Sequence, residues 1–186
     1  MKTNVLLVIL LAFSSVIGAT STAATSSFSR EGRLLTNFRY LPISFHQLLY
    51  SKIIIAWGIP ALALSIFALI LIAFVPLPFG LWFGWVLLSY MILFITTLIG
   101  IALDTDKPKL EWSSEEEIFH HRFVNLILLM FTAISIAPIL LLLWKTPYMD
   151  QLEVVLPSAF IVLTLYLTIG LRLLKKRAHV SFEAMR

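Results

Sequence analysis

The chain predicts an all-α fold, a polytopic transmembrane helical bundle of about five spanning helices, on three observations. Of its 186 residues, 60% are hydrophobic and only 13% are charged, with a mean hydropathy of +0.96. Soluble domains carry about 25% charged residues, and a soluble fold of this size has too little interior for so much apolar surface. The apolar runs also reach the roughly 20 residues needed to cross a bilayer core. Finally, the basic residues fall almost entirely into alternate loops, as the charge bias of membrane proteins requires.

Five runs qualify as spans, at 4–28, 53–75, 79–103, 123–144 and 154–174, within a single membrane domain covering 1–186. Pro60, Pro138, Pro157 and Gly58 predict local kinks, which membrane helices tolerate when neighbours satisfy the freed backbone groups. Between the second and third spans only "PLPFG" (Pro76–Gly80) is available, so these two form a hairpin with a tight turn. No internal repeat or low-complexity tract interrupts the pattern.

Orientation follows from Lys and Arg. Residues 29–52, 104–122 and the tail 175–186, with Arg172 just before it, hold 12 of the 14 basic residues; the opposite side holds Lys2 and Lys145. The positive-inside rule puts both loops and the C-terminal tail in the cytoplasm and the N-terminus outside. The net charge of +4 is thus a matter of topology, with no nucleic-acid partner expected. The absence of cysteine rules out disulfides, thiolate metal sites and cysteine nucleophiles.

The first span has a rival reading. "MKTNVLLVILLAFSSVIGATSTAA" has the basic start, apolar core and small residues near Ala23 of a secretory signal peptide. Cleavage there would leave Thr25 outside, a few residues before a basic segment that the charge rule puts inside. A membrane helix rich in Ala, Ser, Thr and Gly, the residues that allow close helix packing, is the preferred expectation.

In the first cytoplasmic loop, Leu34, Leu35, Phe38, Leu41 and Ile43 form an apolar stripe beside Arg33 and Arg39, suited to a helix at the membrane interface. Pro42 interrupts it. Ser44 and Gln47 then form a capping pattern, which predicts a new helix starting at Phe45 and running into the second span.

The second loop, "DTDKPKLEWSSEEEIFHHR", carries six of the ten acidic residues and two of the four histidines. Glu116 precedes His120, and Glu117 precedes His121, by four residues, which places each pair on one helical face. A catalytic zinc needs three protein ligands, and neither H-E-x-x-H nor H-x-x-E-H occurs. Ser113 with Glu116 reads instead as a capping box, and Glu115–Glu117 suit the positive end of a helix dipole. No metal, cofactor or catalytic residue is expected. Within the spans almost nothing can ionise, and Arg172 can snorkel to the interface. Ser and Thr of the first span, Thr96, Thr97, Ser135 and Thr164 are read chiefly as packing residues. No phosphate-binding loop is present, so ATP-driven work requires another chain.

The two cytoplasmic stretches together resemble a known family. "SSFSREGRLLTNFRYLPISFHQLLYSK" is similar to the "SREGK … LPIS … K" segment of ABC-2 type export permeases of Gram-positive bacteria, and "LDTDKPKLEWSSEEE" to their later "D … RPKLNW" segment. The matching positions are Ser29, Arg30, Glu31, Gly32, Leu41, Pro42, Ile43, Ser44 and Lys52, then Asp104, Pro108, Lys109, Leu110 and Trp112. Order, separation by two spans and shared side all agree, over roughly residues 20–175. Glu111 stands where the family often has Asn, and the "SSEEEIFHH" continuation is more acidic than the pattern. Family members are longer, and the chain resembles their C-terminal part.

The resemblance implies a membrane-spanning permease subunit, or a C-terminal fragment of one, of an ATP-driven exporter in the bacterial cell membrane. It implies as partners a cytoplasmic ABC ATPase subunit, which supplies the ATP hydrolysis, and a second permease chain or a missing N-terminal permease part, within the lipid bilayer. Residues 29–52 would be the main coupling surface, with Arg30 and Glu31 as polar contacts and Pro42–Ser44 setting a bend. Asp104–Trp112 would be the second, with Trp112 as an interfacial anchor. The alternative from another class is a polytopic structural or assembly protein without transport activity.

Overall fold

In the computed structural model, residues 3–19, 22–32, 45–75, 78–106, 130 and 152–184 are described. The main helices are α1 (Thr3–Ala19), α2 (Thr22–Thr25), α3 (Phe45–Phe74), α4 (Phe79–Asp106) and α5 (Leu152–Ala184), and there is no strand among the described residues. Among the described residues, three stretches are long and apolar enough to cross a membrane: Ile9–Gly32, Gln47–Phe74 and Phe79–Thr105. α5 contributes a shorter apolar stretch, Leu156–Arg172. At 1.5 Å per residue, the 30 residues of α3 extend about 45 Å, more than the ~30 Å hydrocarbon core. The predicted fourth span, 123–144, lies outside the described residues except for Met130.

α4 is the central helix, in contact with α1, α2, α3 and α5. Its direction relative to each neighbour can be read from side-chain pairs. Ser14 of α1 meets Ser89, Ala24 of α2 lies against Gly100, and the chain after α2 reaches Asp104, so the first segment runs parallel to α4. Against α3, Trp85 packs edge-on to Phe67 and Tyr90 bonds Ser65 at 2.5 Å, while Phe94 faces Trp57. That sequence is antiparallel, as the short α3–α4 turn requires. Leu156 of α5 lies on Gly84, whereas Leu167 and Leu171 pack near Leu98 and Ile101, so α5 runs parallel to α4.

The core forms two layers along this axis. One gathers Leu7, Leu11, Leu64, Leu81, Trp85, Leu88 and Leu163. The other gathers Ala24, Phe28, Leu49, Ile53, Leu98 and Ile101 at the opposite end. Outward, α3 exposes Ile54, Ile55, Ile59, Leu62, Ile66, Leu69 and Phe74. An apolar face of this length is compatible with contact to lipid rather than water.

Close approach of the helices depends on small residues. A Cβ added at Gly18 would fall 2.8 Å from Thr96 Oγ1, and one at Gly100 would fall 2.9 Å from Ala24 Cβ. Between α1 and α4, the buried Ser14 hydroxyl uses all its hydrogen-bonding capacity. It donates to the Leu10 carbonyl at 2.8 Å and accepts from Ser89 Oγ at 2.8 Å and Trp85 Nε1 at 3.2 Å. Ser14 thus ties two helices together, beyond the packing role expected of the first-span serines. Thr96, Thr97 and Thr164 instead bond carbonyls of their own helices, and Ser135 lies outside the described residues.

Several boundaries differ from expectation for identifiable reasons. Helix α2 gives way to a tight turn at 26–32, so the α-helix of the first predicted span stops short of 28. α3 starts at Phe45, where the Ser44–Gln47 pattern predicts it, and passes through Pro60 without ending. α5 passes through Pro157 likewise and runs ten residues beyond the predicted end at 174. α4 continues through Asp106, so Asp104 is helical and buried rather than part of a solvated loop. The reason is that its carboxylate finds hydrogen-bond donors in the turn at 26–32, which a buried charge requires.

Candidate functional site: a polar junction at one end of the bundle

The turn begins as α2 ends. The Arg30 N–H donates to the Ser26 carbonyl at 3.0 Å and the Glu31 N–H to the Phe28 carbonyl at 3.1 Å, so the chain tightens from α-type to 3₁₀-type spacing. Gly32 closes the turn at φ 50°, in the left-handed region that a side chain would strain.

Asp104 accepts from the start of the turn. Its Oδ2 accepts the backbone N–H of Phe28 at 2.5 Å and of Ser29 at 3.1 Å, with Ser27 Oγ at 3.4 Å. Its Oδ1 accepts the Ser29 hydroxyl. Asp104 is only 5% exposed, and Ser27, Phe28 and Ser29 are buried around it. A carboxylate is acceptor-only, and here both oxygens are engaged. Hydrogen bonds to a charged acceptor are about twice as strong as neutral ones.

On the other side of the turn, Lys52 of α3 pairs with Glu31 Oε1. The Lys52 ammonium also lies 5.9 Å from the centroid of the Phe28 ring, within reach of a cation–π attraction. Glu31 Oε2 is buried with no hydrogen-bond partner among the described residues. Phe28, 2% exposed, belongs to the core layer it shares with Leu49, Ile53, Leu98 and Ile101 of α3 and α4. The junction therefore has a polar shell and an apolar plug.

No family model, curated protein or solved structure matches the chain. The site therefore stands on its own geometry.

Of the residues singled out by sequence, Ser29, Glu31, Gly32, Lys52 and Asp104 are brought together here. Arg30 lies on the same turn and is exposed. Leu41, Pro42, Ile43, Ser44, Pro108, Lys109, Leu110 and Trp112 lie outside the described residues, as do Glu111, His120, His121 and the apolar stripe at 34–43. Among the described residues no group of three His, Asp or Glu side chains could hold a metal ion.

Sequence reasoning missed the parts played by Ser27 and Phe28. Both stand directly before the matched positions, but Phe28 binds Asp104 through its backbone N–H, which side-chain identity does not reveal. The "SSFS" run (Ser26–Ser29), a cluster of small hydroxyl residues before a basic segment, is the one signal that pointed there.

Proposed function

We propose that the chain is a membrane-spanning permease subunit, or the C-terminal part of one, of an ATP-driven ABC-2 type exporter in a bacterial cell membrane. The single observation that supports this best is the meeting of the two motif segments at one end of the bundle. Asp104 of the second motif holds the backbone of Phe28 and Ser29 at the start of the first. Segments 75 residues apart in sequence, alike to one family's two cytoplasmic motifs, form one structural unit.

The helix directions support the five-span topology. Since α5 runs parallel to α4, it starts at the opposite end of the bundle from where α4 ends, which agrees with a further span at 123–144, a run long enough to cross. On this reading the outer face of α3 meets lipid and the Asp104 junction faces the cytoplasm, where 12 of 14 basic residues gather. A separate ATPase subunit would dock on 29–52 and 104–112, with Arg30 exposed for that contact, and drive the spans between two access states.

Extraction from native membranes in mild detergent, followed by mass spectrometry, is expected to recover a subunit with a phosphate-binding loop. Arg30→Glu should remove that subunit while leaving the yield of the chain intact. Recovery of no ATPase from the unaltered protein would overturn the exporter reading and leave a structural or assembly role.

A further inference from the structure

We infer that residues 26–32 form a strap with two anchors, Asp104 on α4 and Lys52 on α3, that makes these ends of the first segment, α3 and α4 move as one unit. Three features of the turn lead there. It is internally wound, by the Arg30–Ser26 and Glu31–Phe28 backbone bonds, so a displacement at one residue carries to the others. Each anchor reaches a different helix: Asp104 takes two backbone N–H groups and a hydroxyl, and Lys52 takes Glu31. Beneath the anchors, Phe28 fills the space between Leu49, Ile53, Leu98 and Ile101.

The attachment to α4 is the stronger one. It is buried, uses a charged acceptor, and takes two backbone donors and a hydroxyl. Ala24 against Gly100 brings the preceding helix so close that it has no room to slide toward α4. The Lys52–Glu31 pair is less completely buried than Asp104 and engages one carboxylate oxygen, so it is the weaker of the two. A force applied to the exposed side of the strap, at Arg30, is passed to α3 and α4 together. On the exporter reading, on which only this last step rests, the strap transmits the ATPase's motion to two spans at once.

Amide hydrogen exchange on the purified full chain tests the strap. Because Phe28 and Ser29 donate to a buried charge, a peptide covering 26–32 is expected to exchange slowly. Asp104→Ala should speed that exchange by about tenfold to a hundredfold, the scale of one charge-assisted hydrogen bond. Exchange in the middle of α4, around Trp85–Ile92, should stay the same. Asp104→Asn, which keeps one acceptor oxygen and the side-chain volume, should give a smaller increase in the same peptide, and Lys52→Met a smaller one again. Unchanged exchange at 26–32 in both Asp104 variants would overturn the strap, as would an equal rise throughout α3 and α4. An ATPase that is absent from the unaltered protein sinks the exporter reading alone, since the exchange measurement does not depend on it.

Discussion

Asp104, two residues from the end of α4, accepts the backbone N–H of Phe28 at 2.5 Å across 76 residues of sequence. A side chain that binds distant backbone holds a chain path rather than a partner side chain. Its removal therefore leaves backbone donors that no change of the Phe28 side chain short of proline can withdraw. Asp104→Ala is expected to destabilise the chain by about 2–3 kcal/mol, since two buried N–H groups lose a charged acceptor. Asp104→Asn should cost less. Thermal unfolding in detergent, followed by helical circular dichroism, checks the order; equal stabilities for all three proteins would refute it.

The Lys52–Glu31 pair predicts a different pattern. Its side chains are 16% and 22% exposed, so solvent moderates the attraction. A double-mutant cycle with Lys52→Met and Glu31→Gln should give a coupling energy of about 1 kcal/mol. The coupling should persist at raised salt, because a mostly buried pair is screened less than one in open solvent. A coupling indistinguishable from zero would mean that the contact adds nothing to stability.

Two glycines separate close packing from mere composition. Gly100→Ala places a Cβ 2.9 Å from Ala24, whose short side chain cannot turn aside, and should cost about 1–3 kcal/mol. Gly58→Ala meets nothing within 4 Å and should be neutral or stabilising by up to about 1 kcal/mol through helix propensity. Comparable losses at both positions, measured by unfolding in the same detergent, would contradict the assigned packing of α2 on α4.

Ser14 links α1 to α4 through Trp85 and Ser89, and all three are fully buried. Ser14→Ala leaves the Trp85 N–H without its acceptor and should cost about 1 kcal/mol, near the usual value for hydrogen bonds between membrane helices. Ser65→Ala, which removes the bond to the partly buried Tyr90, should cost no more than this. The reverse order in unfolding experiments would displace Ser14 as the principal polar tie.

Because α1 is packed along α4 through these contacts, the purified protein is expected to keep its first segment. Intact mass spectrometry after membrane extraction should show no loss at the small residues near Ala23. A product starting near Thr25 would establish cleavage and restore the signal-peptide reading.

The helices were largely legible. Phe45 could be named as a helix start because capping chemistry is local, and the α3–α4 hairpin because five residues admit only a turn. The tight turn at 26–32 that ends the first span was not legible, since it is held by Asp104, 75 residues away in sequence. Nor was the reach of α4 to Asp106. A charged residue after an apolar run reads as leaving the membrane unless a distant donor set is known. The five-span count rests in part on 123–144, beyond the described residues.

The motif positions illustrate the same division. Ser29, Glu31, Gly32, Lys52 and Asp104 could be singled out from sequence, and they were expected to serve a partner's surface. In the structure, Glu31, Lys52 and Asp104 are occupied with one another's segments.

By itself the sequence determined the helical, membrane-compatible class, because apolar length and scarcity of charge are properties of single segments. It also determined which stretches were unusual. Only the tertiary structure decided what those stretches do to each other. The pairing of Asp104 with the backbone of Phe28 and Ser29 depends on where α2 ends and how closely Gly100 lets it approach α4. Those are distances between helices, and no single segment encodes them.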